Sequence, residues 1–211
     1  MKVILIGATG ATGKALVKHL IEDVAISEIM IFGRKSFVPA HPKIANVLID
    51  FDEMEDYAGQ IHADLAFSCL GTTLKAAGSK EAQWKIDYDY QLNFAKICKQ
   101  KGVHTFILVS ALGANAQSKI FYSRMKGALD EAVKHLGFKK TIIFKPSALI
   151  RPGSDRKGEG ISIKILNVLN AVGLFKFYRP IATETLARQM LKAAKDKTLG
   201  YFEFSGSNIN L

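Results

Sequence analysis

Ser110, Tyr122 and Lys126 are the residues of this 211-residue chain whose types and spacing suit acid–base chemistry. Tyr122 and Lys126 stand four apart in Tyr122-Ser-Arg-Met-Lys126, which on a helix makes them neighbours one turn apart. A free tyrosine has a pKa of about 10, too high for an efficient base at neutral pH. An ammonium alongside favours the phenolate and lowers that value, giving a usable acid–base group. Ser110 ends an apolar run, where it can orient a carbonyl or donate to a developing oxyanion. An exposed helix pair with an unrelated serine is the plain alternative. The order of strand, serine, helix, tyrosine and lysine favours the catalytic reading.

A second cluster opens the chain. Its first apolar run leads into Gly7-Ala-Thr-Gly10-Ala-Thr-Gly13, and a helical pattern follows. Glycines there permit a tight turn and let the backbone approach a pyrophosphate, while the helix N-terminus supplies free N–H groups and a positive dipole. The set Gly7, Thr9, Gly10, Ala11, Thr12 and Gly13 is therefore expected to bind a dinucleotide, the alternative being a turn without a ligand. A nucleotide-triphosphate P-loop is excluded, because five residues separate Gly7 from Gly13 and Ala15 stands where Ser or Thr would hold magnesium. A nucleophile elbow at Ser110 is excluded too, since Leu108 and Leu112 occupy its glycine positions.

Cofactor choice is expected at the end of the second strand. NAD enzymes usually place an acid there for the adenosine ribose. This chain reads Ile31-Phe-Gly-Arg34-Lys35-Ser36 instead, with two cations and no acid. A guanidinium forms a forked pair with a 2′-phosphate, so NADP(H) is expected over NAD(H). Solvated loop charges are the alternative at Arg34 and Lys35.

The elements that must position these groups are legible in the apolar rhythm. Strands are predicted at Lys2–Gly7, Glu28–Gly33, Ala45–Ile49, Ala63–Leu70, Val103–Ser110, Thr141–Lys145 and Tyr201–Phe204. Helices are predicted at Thr12–Glu22, Ser79–Lys101, Ser118–Leu136, Ile161–Leu174 and Thr183–Lys195, with a glycine- and charge-rich loop at Arg151–Gly160. Strands alternating with helices imply βαβ crossovers and a parallel sheet covered on both faces. The expected fold class is α/β, a Rossmann-type doubly wound parallel sheet. One domain is expected over residues 1–211, with residues 146–211 contributing short substrate-side elements.

Composition narrows the class without naming a substrate. Apolar residues make up 48% and charged residues 23%, which argues against disorder. No apolar run reaches the roughly 20 residues that span a bilayer. Cys69 and Cys98 are too few for a disulfide framework, and five histidines show no ligand spacing, so no metal is expected. These features together suggest a cytoplasmic location. The net charge of +10 favours anionic partners, but the cations are scattered and no nucleic-acid arm appears. The acidic cluster Asp50 to Asp56 reads as a solvated loop or helix start, and Cys69 as buried.

GATGATG, VSALG with Ser110 and Tyr122-x-x-x-Lys126 resemble the short-chain dehydrogenase/reductase superfamily. The glycine spacing and KPSALIRPG are similar to its extended and atypical branches; IFGRK, CLGTT, LVSALGA and FYSRMKG resemble its Tat-interacting-protein-like group. The resemblance covers nearly the whole chain. It implies a Rossmann sheet, NADPH binding and oxidoreduction of a small carbonyl or alcohol substrate. Ser110, Tyr122 and Lys126 become the catalytic set by it, Tyr122 and Lys126 also binding the cofactor with Lys126 on a ribose hydroxyl, and with Arg34 at the 2′-phosphate and Asp50 and Phe51 beside the adenine. Leu70, Gly71 and Thr72 would line the nicotinamide ribose, and the segment from Pro146 would close over the nicotinamide. Many relatives carry an asparagine for a proton-relay water where this chain has Asp87. Some atypical members are regulatory, so a catalytically weak NADPH sensor is the second reading. The helices at Ser79–Lys101 and Ser118–Leu136 either pair across a homodimer axis, as in many relatives, or face the sheet.

Overall fold

The computed structural model describes residues 1–37, 39–150 and 180–209. Seven strands form one all-parallel sheet: β1 Lys2–Ile6, β2 Glu28–Gly33, β3 Ile44–Leu48, β4 Leu65–Ser68, β5 Thr105–Val109, β6 Lys140–Lys145 and, last in the chain, β9 Gly200–Ser205. Their order is β3-β2-β1-β4-β5-β6-β9. A minor parallel pair, β7 Leu149–Ile150 and β8 Ile181–Ala182, stands apart from the sheet and was not predicted. The sequence order reverses between β1 and β4, and the crevice beyond the carboxyl ends of these strands is where open α/β sheets hold ligands.

Both sheet faces are covered, which is why the strands read as near-continuous apolar runs. On one face α1 (Ala11–Glu22) and α6 (Thr183–Lys195) pack Leu16, Leu20, Leu186 and Met190 against Leu5, Ile31, Phe67 and Ile107. On the other, α4 (Tyr90–Gln100) and α5 (Phe121–His135) pack Phe94, Cys98, Leu129 and Val133 against Ile4, Phe32, Phe106 and Ile143. The predicted doubly wound Rossmann sheet is therefore present.

Element ends differ where side chains intercept the backbone. Asp64 takes the Lys2 N–H at 2.8 Å, so β4 starts at Leu65 rather than Ala63. Ser118 Oγ accepts the Ile120 N–H at 3.1 Å, a local turn that delays α5 to Phe121. The predicted helix Ser79–Lys101 is broken into α3 (Lys80–Trp84), a π-helical turn Lys85–Asp89 and α4; a short α2 (Leu74–Ala77) precedes it. A π turn has no hydrophobic period of its own, and such bulges concentrate at functional positions. The predicted loop Arg151–Gly160 and helix Ile161–Leu174 lie outside the described residues. Among the described residues no helix is long and apolar enough to cross a membrane.

Candidate functional site

The glycine turn does what its spacing requires. Gly7 has φ +80°, and a Cβ there would overlap the backbone of Cys69 and Leu70 at the end of β4. Gly13 lies in the first turn of α1, where a Cβ would come 2.8 Å from Ala8 Cα and closer still to the Gly7 carbonyl. Gly10 is the N-cap, donating to Gly7 O at 3.1 Å. No side chain caps α1, and no acid stands in its first turn. The helix start, with Ala11 and Thr12, is thus left open to an anion.

A cavity of about 520 Å³ lies directly before this turn. Its walls include Gly7, Thr9, Arg34, Lys35, Phe51 and Leu70, all expected from the sequence. They also include Ala8, Ile31, Phe32 and Gly33, which were not. Arg34 and Lys35 are exposed at its rim. Phe51 is buried and packs on Tyr90 with ring centroids 5.1 Å apart. Asp52 fixes that loop, accepting from Lys85 Nζ at 2.8 Å and from Tyr90 O–H at 3.1 Å. Asp50 is exposed and folds its carboxylate onto the Asp52 N–H at 2.9 Å, a local turn rather than a cavity wall. An uncapped helix start, a close-approach glycine and a deep apolar-and-basic cleft fit a dinucleotide.

The loop after β4 is held from behind by the π turn. Asp87 is 1% exposed, and its carboxylate accepts the Thr72 N–H at 3.1 and 3.3 Å. A Cβ on Gly71 would lie 3.2 Å from Asp87 Oδ1. Gln83 donates to Thr72 O at 3.4 Å, and Gln91 bridges Asp87 O at 2.8 Å to the Ser68 hydroxyl at 2.7 Å. Leu70, Gly71 and Thr72 are therefore set by three buried polar side chains, of which the sequence had singled out only Asp87, and for a different role.

Lys126 on α5 reaches this network. It is 3% exposed, and its Nζ lies 3.9 Å from Asp87 Oδ1. Burial pulls its ammonium below the ordinary lysine range, while Asp87 and Asp130 pull the other way. Burial pushes the Asp87 carboxyl above the ordinary range against the opposing pull of Lys126 and Thr72. Tyr122 shares this helix face one turn earlier and is exposed. Ser110 is buried directly after β5, with its N–H donating to Phe144 O at 2.8 Å. Leu112 donates to Pro146 O at 2.9 Å, so the loops after β5 and β6 run together and Pro146 sits buried beside the serine loop.

Gly127 explains how α5 comes so near. A Cβ there would overlap the backbone of Asn115 and Ala116, in the loop after Ser110. Asn115 donates to Ser123 O at 3.0 Å, and the Ser123 hydroxyl to Gly113 O. Reading Lys126-Gly127 as a helix interior hides this, because a mid-helix glycine signals a close approach without naming the partner. Burial pushes the Cys69 thiol up to about 12, which makes it a poor nucleophile.

Comparison with known proteins agrees with this geometry. The NAD(P)H-binding family matches residues 7–197. The protein FMP52-1, mitochondrial, of Scheffersomyces stipitis is 33% identical over 203 residues, covering 93% of this chain and 89% of that protein. The protein HTATIP2 of Rattus norvegicus is 30% identical over 194 residues, covering 90% and 79%. Among solved structures, MoeE5 in complex with UDP-glucuronic acid and NAD superposes with a TM-score of 0.75 at 12% identity, covering 98% of this chain and 76% of that one. A short-chain dehydrogenase/reductase superfamily protein from Agrobacterium tumefaciens with bound NAD gives 0.75 at 11% identity, covering 97% and 77%. Those two likenesses show the fold. The expected cytoplasmic location is overturned: the fungal relatives, including that of Meyerozyma guilliermondii at 34% identity, are named mitochondrial. Composition and the lack of an apolar span carry no such address, which is why they misled. With its glycine turn, open helix start and switch-point cleft, the chain belongs to the NAD(P)H-binding family and shares the Rossmann-type fold of these NAD-bound structures.

Proposed function

We propose that this protein is an NADP(H)-preferring oxidoreductase acting on a small carbonyl or alcohol. The observation that carries the reading is the placement of Lys126: a fully buried ammonium, one turn from Tyr122 and tied to the loop that would hold the nicotinamide ribose. Bound NADP(H) would supply or accept the hydride. Gly7, Thr9, Gly10, Ala11, Thr12 and Gly13 would hold its pyrophosphate, with Leu70, Gly71, Thr72 and Pro146 on the nicotinamide side. Arg34 and Lys35 favour the 2′-phosphate because they are exposed at the cleft rim without a competing acid at the carboxyl end of β2. Phe51 would border the adenine, whereas Asp50, turned onto its own loop, would not.

In reduction Tyr122 would give its proton to the carbonyl oxygen, and the Lys126 ammonium would stabilise the phenolate left behind. Ser110 would orient and polarise the carbonyl from the end of β5. Tyr122→Phe should abolish NADPH-dependent reduction of carbonyl substrates while leaving NADPH affinity within about twofold. Retained turnover refutes the role of Tyr122.

One observation favours the second reading, a cofactor-binding sensor. Asp87 places a buried carboxylate against Lys126 where relatives carry a neutral relay residue, and a negative charge there opposes the phenolate. That reading predicts tight NADPH binding without turnover on any carbonyl or alcohol panel.

A further inference from the structure

Another cavity, of about 620 Å³, lies between α6 and the strands β6 and β9, on the face that α1 and α6 cover. Its walls include Lys140, the first residue of β6, and Asp23, just past the end of α1. It therefore opens at the amino end of the sheet, opposite the cleft at the glycine turn, and shares no wall residue with that cleft. Two features of the chain create it. β9 is an edge strand, and its alternation turns Phe202 and Phe204 to this face, where both stay half-buried. α6 lays Leu186, Met190 and Ala194 on the core and turns a second stripe, Arg188, Leu191, Lys192 and Lys195, to the cavity.

The cavity is apolar at its floor and cationic at its mouth. Ile142 and Leu191 are buried. Lys140 is buried too, and its ammonium is committed, donating to the Ala193 and Asp196 carbonyls at 2.7 and 2.6 Å and closing the end of α6. Both acids of the wall are committed as well. Asp23 accepts from Lys195 Nζ and from the Ala25 N–H. Asp196 accepts the Thr198 N–H at 2.8 Å and lies 3.6 Å from Lys140 Nζ. Arg188 and Lys192, one turn apart, are exposed, and among the described residues no carboxylate pairs with either. Glu184, one turn before Arg188, turns instead to His19, 3.1 Å away. The charge left uncommitted at the mouth is thus two cations.

We propose that this cavity binds a monomeric fatty acid, its chain on Ile142, Leu191, Phe202 and Phe204 and its carboxylate on Arg188 and Lys192. The volume lies within the roughly 300–1,000 Å³ usual for small-molecule sites. A guanidinium takes a carboxylate in a forked pair, and the chain covers apolar surface that water would otherwise wet. A bilayer suits the site poorly, because its apolar groups lie beneath the cations rather than projecting past them. A second copy of this chain, with its net charge of +10, is repelled by the pair. Residues 161–178 of the chain itself carry Lys164 and Lys176 and no acid, so they do not complement the pair either. The inference is independent of the oxidoreductase reading.

Calorimetric titration of the whole protein with dodecanoate, kept below its micelle concentration, should show one site per chain. Dodecanol, which has the same chain and no charge, should bind at least about tenfold more weakly. Hexanoate, short of six buried methylenes, should bind at least about a hundredfold more weakly. Arg188→Glu combined with Lys192→Glu should cost dodecanoate at least about tenfold, and both positions are exposed, so the fold is spared. Lys96→Glu, at an exposed cation of α4 on the opposite face, should leave affinity within about twofold. NADPH affinity should be the same with and without dodecanoate. The proposal is overturned by no binding, by equal affinity for dodecanol, by affinity independent of chain length, or by indifference to the charge reversal. Competition between dodecanoate and NADPH overturns it too, since the chain would then lie in the cofactor cleft. So does binding to phosphatidylglycerol vesicles that the double variant loses, if monomeric dodecanoate is not taken up: the pair is then a membrane contact.

Discussion

Replacing Gly13 with alanine tests the glycine turn at the point of closest packing. The added Cβ would sit 2.8 Å from Ala8 Cα, 2.9 Å from the Gly7 carbonyl carbon and closer still to its oxygen. Carbon atoms rest at roughly 3.5 Å, so the start of α1 must retreat by about 0.7 Å or more from the end of β1. The obstacles are backbone atoms and cannot rotate away. Overpacking of this kind costs about 1–3 kcal/mol, and the upper end is expected because α1 also carries the buried Leu16 and Leu20. For a chain of this size that corresponds to a fall in Tm of roughly 6–12 °C. The same retreat moves the open N-terminus off any bound pyrophosphate, and loss of about 1.4–2.8 kcal/mol there weakens NADPH roughly tenfold to hundredfold. Thermal melting and calorimetric titration of Gly13→Ala read both quantities. Gly59→Ala is the control, because a Cβ there meets nothing within 4 Å and the φ is ordinary. A Gly13→Ala protein that melts within a degree of wild type and binds NADPH normally would refute the close-approach argument.

The other expectations concern charge. Arg34→Asp should weaken NADPH by about 1.5–3 kcal/mol, tenfold or more, while NADH changes little; calorimetric titration with both nucleotides checks this, and equal losses would remove the 2′-phosphate contact. Asp23, at the end of α1, accepts the Lys195 ammonium from α6, and this bond together with the Ala25 N–H holds its carboxyl below the ordinary range. A carboxyl lowered on folding contributes stability above its unfolded pKa of about 3.9 and loses it as pH falls through the folded value. Denaturant midpoints of wild type should thus decline faster below about pH 4 than those of Asp23→Asn; parallel curves would show that the pair contributes nothing.

Lys126→Met should be poorly tolerated for a related reason. It strands the buried Asp87 without its cation, and breaking one half of a buried pair costs about 3–5 kcal/mol. The double variant Lys126→Met with Asp87→Leu should recover part of that loss in denaturant melts, whereas additive losses would show the two groups to be independent.

Much of the scaffold was readable from one sequence because its signals are local. The strand–glycine–helix start of residues 2–22 combines an apolar run, a turn only glycine can make, and a helix period, each set by neighbours in the chain. Thr183–Lys195 matched its predicted helix residue for residue. Strands of a covered parallel sheet read as apolar runs, so all seven main strands followed, the late edge strand β9 included. The rim cations Arg34 and Lys35 stood out for the same reason: they end a strand whose position was already fixed.

What the sequence left open depends on groups far apart in the chain. The π turn at Lys85–Asp89 breaks a helix whose apolar stripe runs through Trp84, Tyr88 and Leu92, and only the fold shows that it aims Asp87 at Thr72 and Lys126. Gly127 looks like a weak spot in a helix until the loop of Asn115 and Ala116 is laid across it. Asp130 and Lys145 are ordinary charges in the sequence, and Glu203 lies 58 residues beyond Lys145; the parallel pairing of β6 with β9 brings them to one row. Sequence determines which residues can turn, alternate and carry charge. Which charges lose their water, and which partners then decide their protonation, is set by packing between elements, and that is a property of the tertiary structure alone.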